Sequence, residues 1–154
     1  MVPIYEGYAI PHAITPYPVN GKTLTDYMLQ LMELKSPGNQ LNTREYAEWF
    51  KCTIGEVALD PDAKLKEYKE NPSNEYYILP GGTKVQYNLK EEKILCPEML
   101  FSSKDSDAKG IQYVTNEAIT RCDNDIKKEL FRNIVLAGGS TMFKGMQKRM
   151  KKEI

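Results

Sequence analysis

The run NIVLAGGSTMF, residues 133–143, carries the strongest chemical signal in the chain: a strand-like Ile134-Val135-Leu136 that leads into a glycine pair, Gly138-Gly139. Glycines at the end of a strand let a backbone come close to something flat or charged. That something is either a nucleotide or a packed helix, and the local sequence favours packing slightly. Other residues able to do chemistry are sparse. The single histidine, His12, follows a proline in an apolar context and reads as structural. Gly138-Gly139-Ser140-Thr141-Met142 fails the GxSxG nucleophile elbow at its last position, and the chain has neither a GxxxxGK[ST] loop nor a GxGxxG fingerprint. Asp123 and Asp125 come nearest to a metal-binding pair, yet Asp123-Asn124-Asp125 reads better as the cap of the helix that follows.

Charge and cysteine usage narrow the partners. The 154 residues hold 21 basic and 21 acidic side chains, a formal net charge of +0, so no overall field draws in nucleic acid or an anionic membrane. Lys144, Lys148, Arg149, Lys151 and Lys152 are expected mostly on the wet face of a last helix, and with no aromatic residue between them they make a poor nucleic-acid site. Cys52, Cys96 and Cys122 are odd in number and widely spaced. They fit neither a disulfide framework nor a CxxC metal site, and a reducing, intracellular setting is expected. No apolar run approaches the roughly 18 residues needed to span a bilayer. At 41% hydrophobic and 27% charged residues the composition is that of a protein folding in water around one core or two small lobes.

The elements that must position the glycine pair follow from periodicity and turn residues. Residues 2–5, 8–10 and 12–14 read as short strands, the first two joined at Glu6-Gly7. Leu24, Tyr27, Met28, Leu31 and Met32 form a helical stripe, with Thr23 as cap, Asp26 in the capping-box position and Pro37-Gly38 as the stop. Residues 43–51 predict a second helix, 56–59 an apolar step, and DPDAKLKEYKENPSNE a solvated helix and loop. EYYILPGGTKVQYNL predicts a hairpin turning at Pro80-Gly81-Gly82, with Val85, Tyr87 and Leu89 alternating. CPEMLF is a short helix or turn and SSKDSDAKG an exposed loop. Helices over 111–122 and 125–131 then lead to the strand at 134–136, and Met146, Met150 and Ile154 mark a closing helix. The abrupt strand after Met1 and the helix reaching the last residue carry the expectation of a chain cut in mid-element.

Six segments are, in order, similar to eukaryotic actins and actin-related proteins: VPIYEGYAIPHAI (2–14), LTDYM (24–28), EVALD (56–60), CPEMLF (96–101), CDNDIKKELFRNIVLAGGSTMFKG (122–145) and RMKKEI (149–154). The first and fifth are the most specific, and the likeness runs over nearly the whole chain. It implies an α/β fold: part of an actin-like, ribonuclease-H-like ATPase domain with an inserted, mostly helical subdomain. Residues 1–19 and 109–154 would be the subdomain-3-like part and 20–108 the subdomain-4-like insertion. Sugar kinases and chaperone ATPases share the fold, but VPIYEGYAIPHAI resembles actins and not those relatives.

The resemblance also implies a role for the glycine pair. Gly138, Gly139 and Ser140 resemble the loop that lies against the adenosine of ATP, with Met142 and Phe143 flanking the base. Lys51 matches a family lysine on the other side of the base, and Gly21 a glycine near the ribose. Cys52 stands where actin carries a glutamate that meets the nucleotide, and Glu48 where it carries an arginine, which removes a polar partner and reverses a local charge. Phe143 stands where actin usually has tyrosine, keeping the ring and losing the hydroxyl. The glycine-rich phosphate loops with their metal-binding aspartates, and the residues that position water, have no counterpart in the chain. ATP with magnesium is therefore the cofactor expected of a full-length parent, while this chain alone is expected to bind no nucleotide tighter than about millimolar, to hold no metal and to be no enzyme. Actin-like subunits or actin-binding proteins are the implied partners, in the cytoplasm, with self-association through uncovered edges. The hydrophilic SSKDSDAK, where actins carry a hydrophobic plug, implies a weak cross-strand filament contact. The rival expectation is a stand-alone, non-polymerising interaction module that keeps the scaffold and binds no nucleotide.

Overall fold

In the computed structural model, residues 1–71, 75–102 and 109–154 are described, so most of the expected SSKDSDAK loop lies outside the described residues. The chain opens with a two-stranded antiparallel hairpin, β1 (Ile4–Tyr5) and β2 (Tyr8–Ala9), paired Ile4 to Ala9 and Tyr5 to Tyr8. Glu6 and Gly7 turn it through positive φ angles of 50° and 83°. The third strand expected over 12–14 is instead a 3-10 turn, Pro11–Ala13. Pro11 fixes φ for a helical start and removes the N–H a ladder would need.

Helix α1 (Gly21–Lys35) is capped by Asn20, not by Thr23: the N–H groups of Lys22 and Thr23 donate to Asn20 Oδ1 at 2.9 and 3.1 Å. Asp26, expected in a capping box, instead pairs across the surface with Arg44 at 2.8 Å. The α1 stripe buries Leu24, Thr25, Met28 and Met32 against α2 (Arg44–Ile54) and α4 (Glu92–Glu98). Helix α2 is capped by the Thr43 hydroxyl and sinks Ala47, Phe50 and Lys51. Helix α3 (Pro61–Glu70) has no buried residue, in keeping with its expected solvated character. The predicted hairpin is present as β3 (Tyr76–Ile78) and β4 (Lys84–Gln86), after which Tyr87 and Leu89 enter the core. Helices α5 (Ile111–Thr120) and α6 (Asn124–Arg132) pack on each other. Asp123 holds the N-cap position of α6 with no side-chain cap bond, so the expected cap is positional only.

The strand expected over 134–136 does not form. Two two-stranded sheets are the only ones among the described residues, and neither includes this stretch. A strand exists only through a ladder with a neighbour, and without one Val135 stands 86% exposed. An apolar groove of about 550 Å³ runs beside it, lined among others by Val2, Ile4, Ile119, Leu130 and Val135. The chain then makes a 3-10 turn, Gly139–Thr141, and closes with α7 (Met146–Glu153). Of the basic cluster expected on the wet face of α7, Arg149 is the exception: it is buried, held by Glu98 and Glu153.

One core joins both ends of the chain, taking in Val19, Leu24, Met28, Phe50, Val57, Leu89, Phe101, Ile111, Phe143, Met146 and Met150. Its α/β character lies in helices with small sheets. Within this core sits Glu92, 6% exposed, with Oε1 3.4 Å from Lys35 Nζ and Oε2 without a hydrogen-bond partner. Burial, the largest influence, holds its carboxyl above the ordinary range, against the opposing pull of Lys35. A raised folded value means that the Glu92 contribution to stability is fully present below the unfolded value and lost as pH rises through the folded one. Glu92→Gln is therefore expected to gain on the wild type at about pH 7 and to lose that gain at about pH 4, below the unfolded value. Urea midpoints of the two chains at both pH values check this, and a variant less stable at neutral pH would contradict it.

A polar pocket of lysine, serine and glycine at the start of helix α1

Three separate stretches converge at the head of α1. Asn20 fixes the first turn by taking two of its N–H groups, which sets Gly21 as the first helical residue. Helix α2, crossing α1, delivers Lys51 from its buried face at 7% exposure. The glycine turn delivers Ser140. A Cβ built on Gly21 would stand 3.6 Å from Ser140 Oγ and 3.9 Å from Lys51 Nζ. A side chain at position 21 would thus begin in van der Waals contact with both.

Lys51 Nζ donates to the Gly21 carbonyl at 3.0 Å and to Thr25 Oγ1 at 2.7 Å, and Thr25 Oγ1 in turn donates to the Gly21 carbonyl at 2.9 Å. These partners are neutral oxygens, and among the described residues no carboxylate pairs with Lys51. A buried ammonium solvated by neutral oxygens keeps its positive potential and favours an electron-rich group nearby. Cys96 lies close beneath. Its thiol donates to the Leu24 carbonyl at 3.3 Å and is pushed up to about 12 by burial, with the Lys51 charge pulling the other way. It stays a neutral thiol.

The glycine turn is built for close approach. Gly138 has φ 93° and ψ 159°, a region glycine alone occupies at low cost. Its carbonyl accepts from both the N–H of Thr141 at 3.0 Å and Thr141 Oγ1 at 2.7 Å. No heavy atom lies within 4 Å of where a side chain would begin at Gly138 or Gly139, so the turn opens on free space. Beyond it, Met142 projects outward at 82% exposure and Phe143 turns into the core at 9%. The ring of Phe143 lies against Gly55, where a Cβ would sit 2.5 Å from Cε1. Phe143 is thus a floor under the turn. The turn is further anchored by the Val57 N–H donating to the Lys144 carbonyl at 2.8 Å, and by Gly145, whose φ of 88° and approach to the Val57 carbonyl leave no room for a Cβ.

A family model described as Actin matches residues 1–154. The chain belongs to the actin family. Within this actin-family chain, Gly21, Lys51 and Ser140 are brought together, with Gly138 and Gly139 beside Ser140 on the same turn. Cys52 is exposed on α2 next to Lys51, and Glu48 is likewise exposed on that helix. Sequence reasoning missed Thr25, Gly55 and Arg149. Thr25 had a findable signal: it sits beside Leu24, four residues after Gly21, on the face that turns inward. Gly55 and Arg149 had none, because their partners, Phe143 and Glu98, are distant in sequence.

Proposed function

We propose that this actin-family chain supplies the adenosine-facing wall of an ATP site, and that the phosphate cradle and magnesium come from residues outside it. The observation that carries this reading is the meeting of Gly21, Lys51 and Ser140 at the head of α1, next to the open turn of Gly138 and Gly139. The residues present fit adenosine. Lys51 offers a cation toward a nitrogen-rich ring or a ribose oxygen, Ser140 a hydroxyl, and Gly138 and Gly139 a backbone that a flat group can approach. We assign the triphosphate and its metal to residues elsewhere, because Lys51, Thr25, Ser140 and the two glycines include no carboxylate that could share a metal with phosphate oxygens. Bound ATP would bring its own phosphoanhydride chemistry, and this chain's part is to bind and orient the base and sugar. Cys52 adds no hydrogen-bonding carboxylate, and Phe143 supports the loop from below.

In the cell we assign the chain to the actin cytoskeleton, in the cytoplasm, with actin-like subunits or actin-binding proteins as partners. The exposed apolar residues Ile4 and Tyr8, at 57% and 80%, and the groove beside Val135 are the surfaces open to such contacts or to self-association. The pocket is tested by photolabelling with an azido-adenosine probe followed by peptide mapping. Crosslinks are expected on residues 138–143 and around Lys51, displaced by excess adenosine and reduced several-fold in Lys51→Gln, whose fold is checked by its melting curve. Labelling spread evenly over the surface and indifferent to adenosine would instead favour an interaction module that binds no nucleotide.

A further inference from the structure

Outside the pocket, one side chain is surrounded by cations. Tyr68, half-buried on α3, has Lys64 Nζ 5.0 Å, Lys93 Nζ 5.0 Å and Lys90 Nζ 5.9 Å from its ring centroid. Lys64 comes from its own helix, while Lys90 and Lys93 come from the start of α4 and the turn before it. By contrast the exposed Tyr76 has a single lysine, Lys84, at 4.7 Å. Three ammonium groups on one ring are more than a cation–π contact needs.

We propose that Tyr68 is a phosphoryl-acceptor site whose phosphate is received by Lys64, Lys90 and Lys93. In the step, a tyrosine kinase brings a nucleoside triphosphate. The Tyr68 Oη–P bond forms, the bond from the γ-phosphorus to the bridging oxygen breaks, the phenolic proton passes to the kinase's general base, and nucleoside diphosphate leaves. The added group carries about −1.5 to −2 charge at neutral pH and three acceptor oxygens, which suit a ring of ammonium donors.

Two features favour a covalent phosphate here over a free anion. The lysines are already engaged: Lys64 with Glu67 at 3.0 Å, Lys93 with Glu75 at 3.1 Å, and Lys90 with the Asn71 carbonyl at 3.1 Å. A dissolved anion must displace these two carboxylates and the carbonyl from solution, whereas a tethered phosphate competes at high effective concentration and with greater charge. Second, α3 buries none of its residues, so it can open locally and offer Tyr68 to an enzyme at little cost. Once modified, the phosphate bridges α3 to α4, which are otherwise in contact without a shared core residue on the α3 side.

The test treats the full chain with a broad-specificity tyrosine kinase and Mg-ATP, maps the product by peptide mass spectrometry, and titrates it by phosphorus-31 NMR. Modification of Tyr68 is expected, with its phosphate losing the second proton about one pH unit below the ordinary value near 6. The double variant Lys64→Gln, Lys93→Gln should return that titration most of the way to the ordinary value. Amide exchange across α3 should slow roughly five-fold or more on phosphorylation of the wild-type chain. A chain modified at Tyr8, Tyr76 or Tyr113 and left bare at Tyr68 overturns the proposal. So does a Tyr68 phosphate that titrates as in the urea-unfolded product and does not respond to the lysine substitutions.

Discussion

Phe50→Ala is expected to lower the stability of the chain by about 3–5 kcal/mol, the cost of removing a fully buried aromatic ring and leaving a cavity. Phe50 is 0% exposed. Its ring is met edge-on by Trp49, Tyr77 and Tyr87 at centroid distances of 4.9, 5.2 and 5.8 Å, so three neighbours lose a partner at once. Two of those rings are themselves committed. Tyr87 donates from its hydroxyl to Asn42 Oδ1 at 2.7 Å, and Tyr77 to the Glu75 carboxylate. They cannot swing into the hole without giving up those bonds. The loss also reaches the pocket, because Phe50 precedes Lys51 on α2 and sets the face that α2 presents to α1. Against a typical total of about 5–15 kcal/mol, the variant should unfold at far lower urea, and a midpoint within experimental error of the wild type would show that the aromatic cluster collapses freely. Phe50→Leu should lose less, because it retains most of the volume.

Arg149→Ala should be of similar size, for an electrostatic reason. Arg149 is 7% exposed and forks onto Glu98, with Nη1 3.1 Å from Oε2 and Nη2 3.0 Å from Oε1. Nη1 also donates to the Ala58 carbonyl at 2.7 Å, Nε donates to Glu153 at 2.7 Å, and the guanidinium lies 4.8 Å from the Phe101 ring centroid. One side chain thus ties α7 to α4 and to the 56–59 segment that braces the glycine turn. Burial holds the Glu98 carboxyl above its ordinary range, with Arg149 pulling it down. Truncating Arg149 leaves the Glu98 carboxylate, its side chain 12% exposed, without its cation, which costs up to about 3–5 kcal/mol. The pair itself is worth less than that, since its desolvation offsets much of its attraction. Arg149→Met combined with Glu98→Leu is therefore expected to recover most of the loss, measured as the coupling in a double-mutant cycle by urea denaturation. A double variant as unstable as Arg149→Ala would place the loss in packing on Phe101 and not in the orphaned charge.

What the sequence made legible was the local grammar. The stripe of Leu24, Met28 and Met32, the second helix expected over 43–51, the Pro80-Gly81-Gly82 hairpin and the glycines of the 138–139 turn are all present, because each depends on neighbours within a few residues. Segment likeness, not periodicity, pointed to the family, and the match over residues 1–154 bears it out. Where local reading failed, a distant or missing partner decided the outcome. Ile134-Val135-Leu136 has strand composition, but a strand is a property of a ladder, and no described neighbour supplies one. Residues 12–14 carried β-branched and apolar residues, yet Pro11 set a 3-10 turn. Arg149 looked like one of five wet cations until α4 placed Glu98 opposite it. For the pocket, Lys51 and the glycines could be named from the family likeness and Thr25 from its place on the inward face of α1, whereas the bond from Lys51 to the Thr25 hydroxyl and the Gly55 that seats Phe143 join residues distant in sequence.

The central claim is that the chain offers one wall for adenosine and nothing for phosphate. Contact of a base with one cation is worth about 0.5–2 kcal/mol, below the roughly 4 kcal/mol or more that immobilising a free nucleotide costs. The decisive measurement is calorimetric titration of the chain with ATP, in the presence of magnesium and again with a chelator. No saturation tighter than about millimolar is predicted, and no difference between the two conditions. A saturable micromolar isotherm that disappears with the chelator would contradict the account, because it would require a phosphate and metal cradle among residues assigned here to structure.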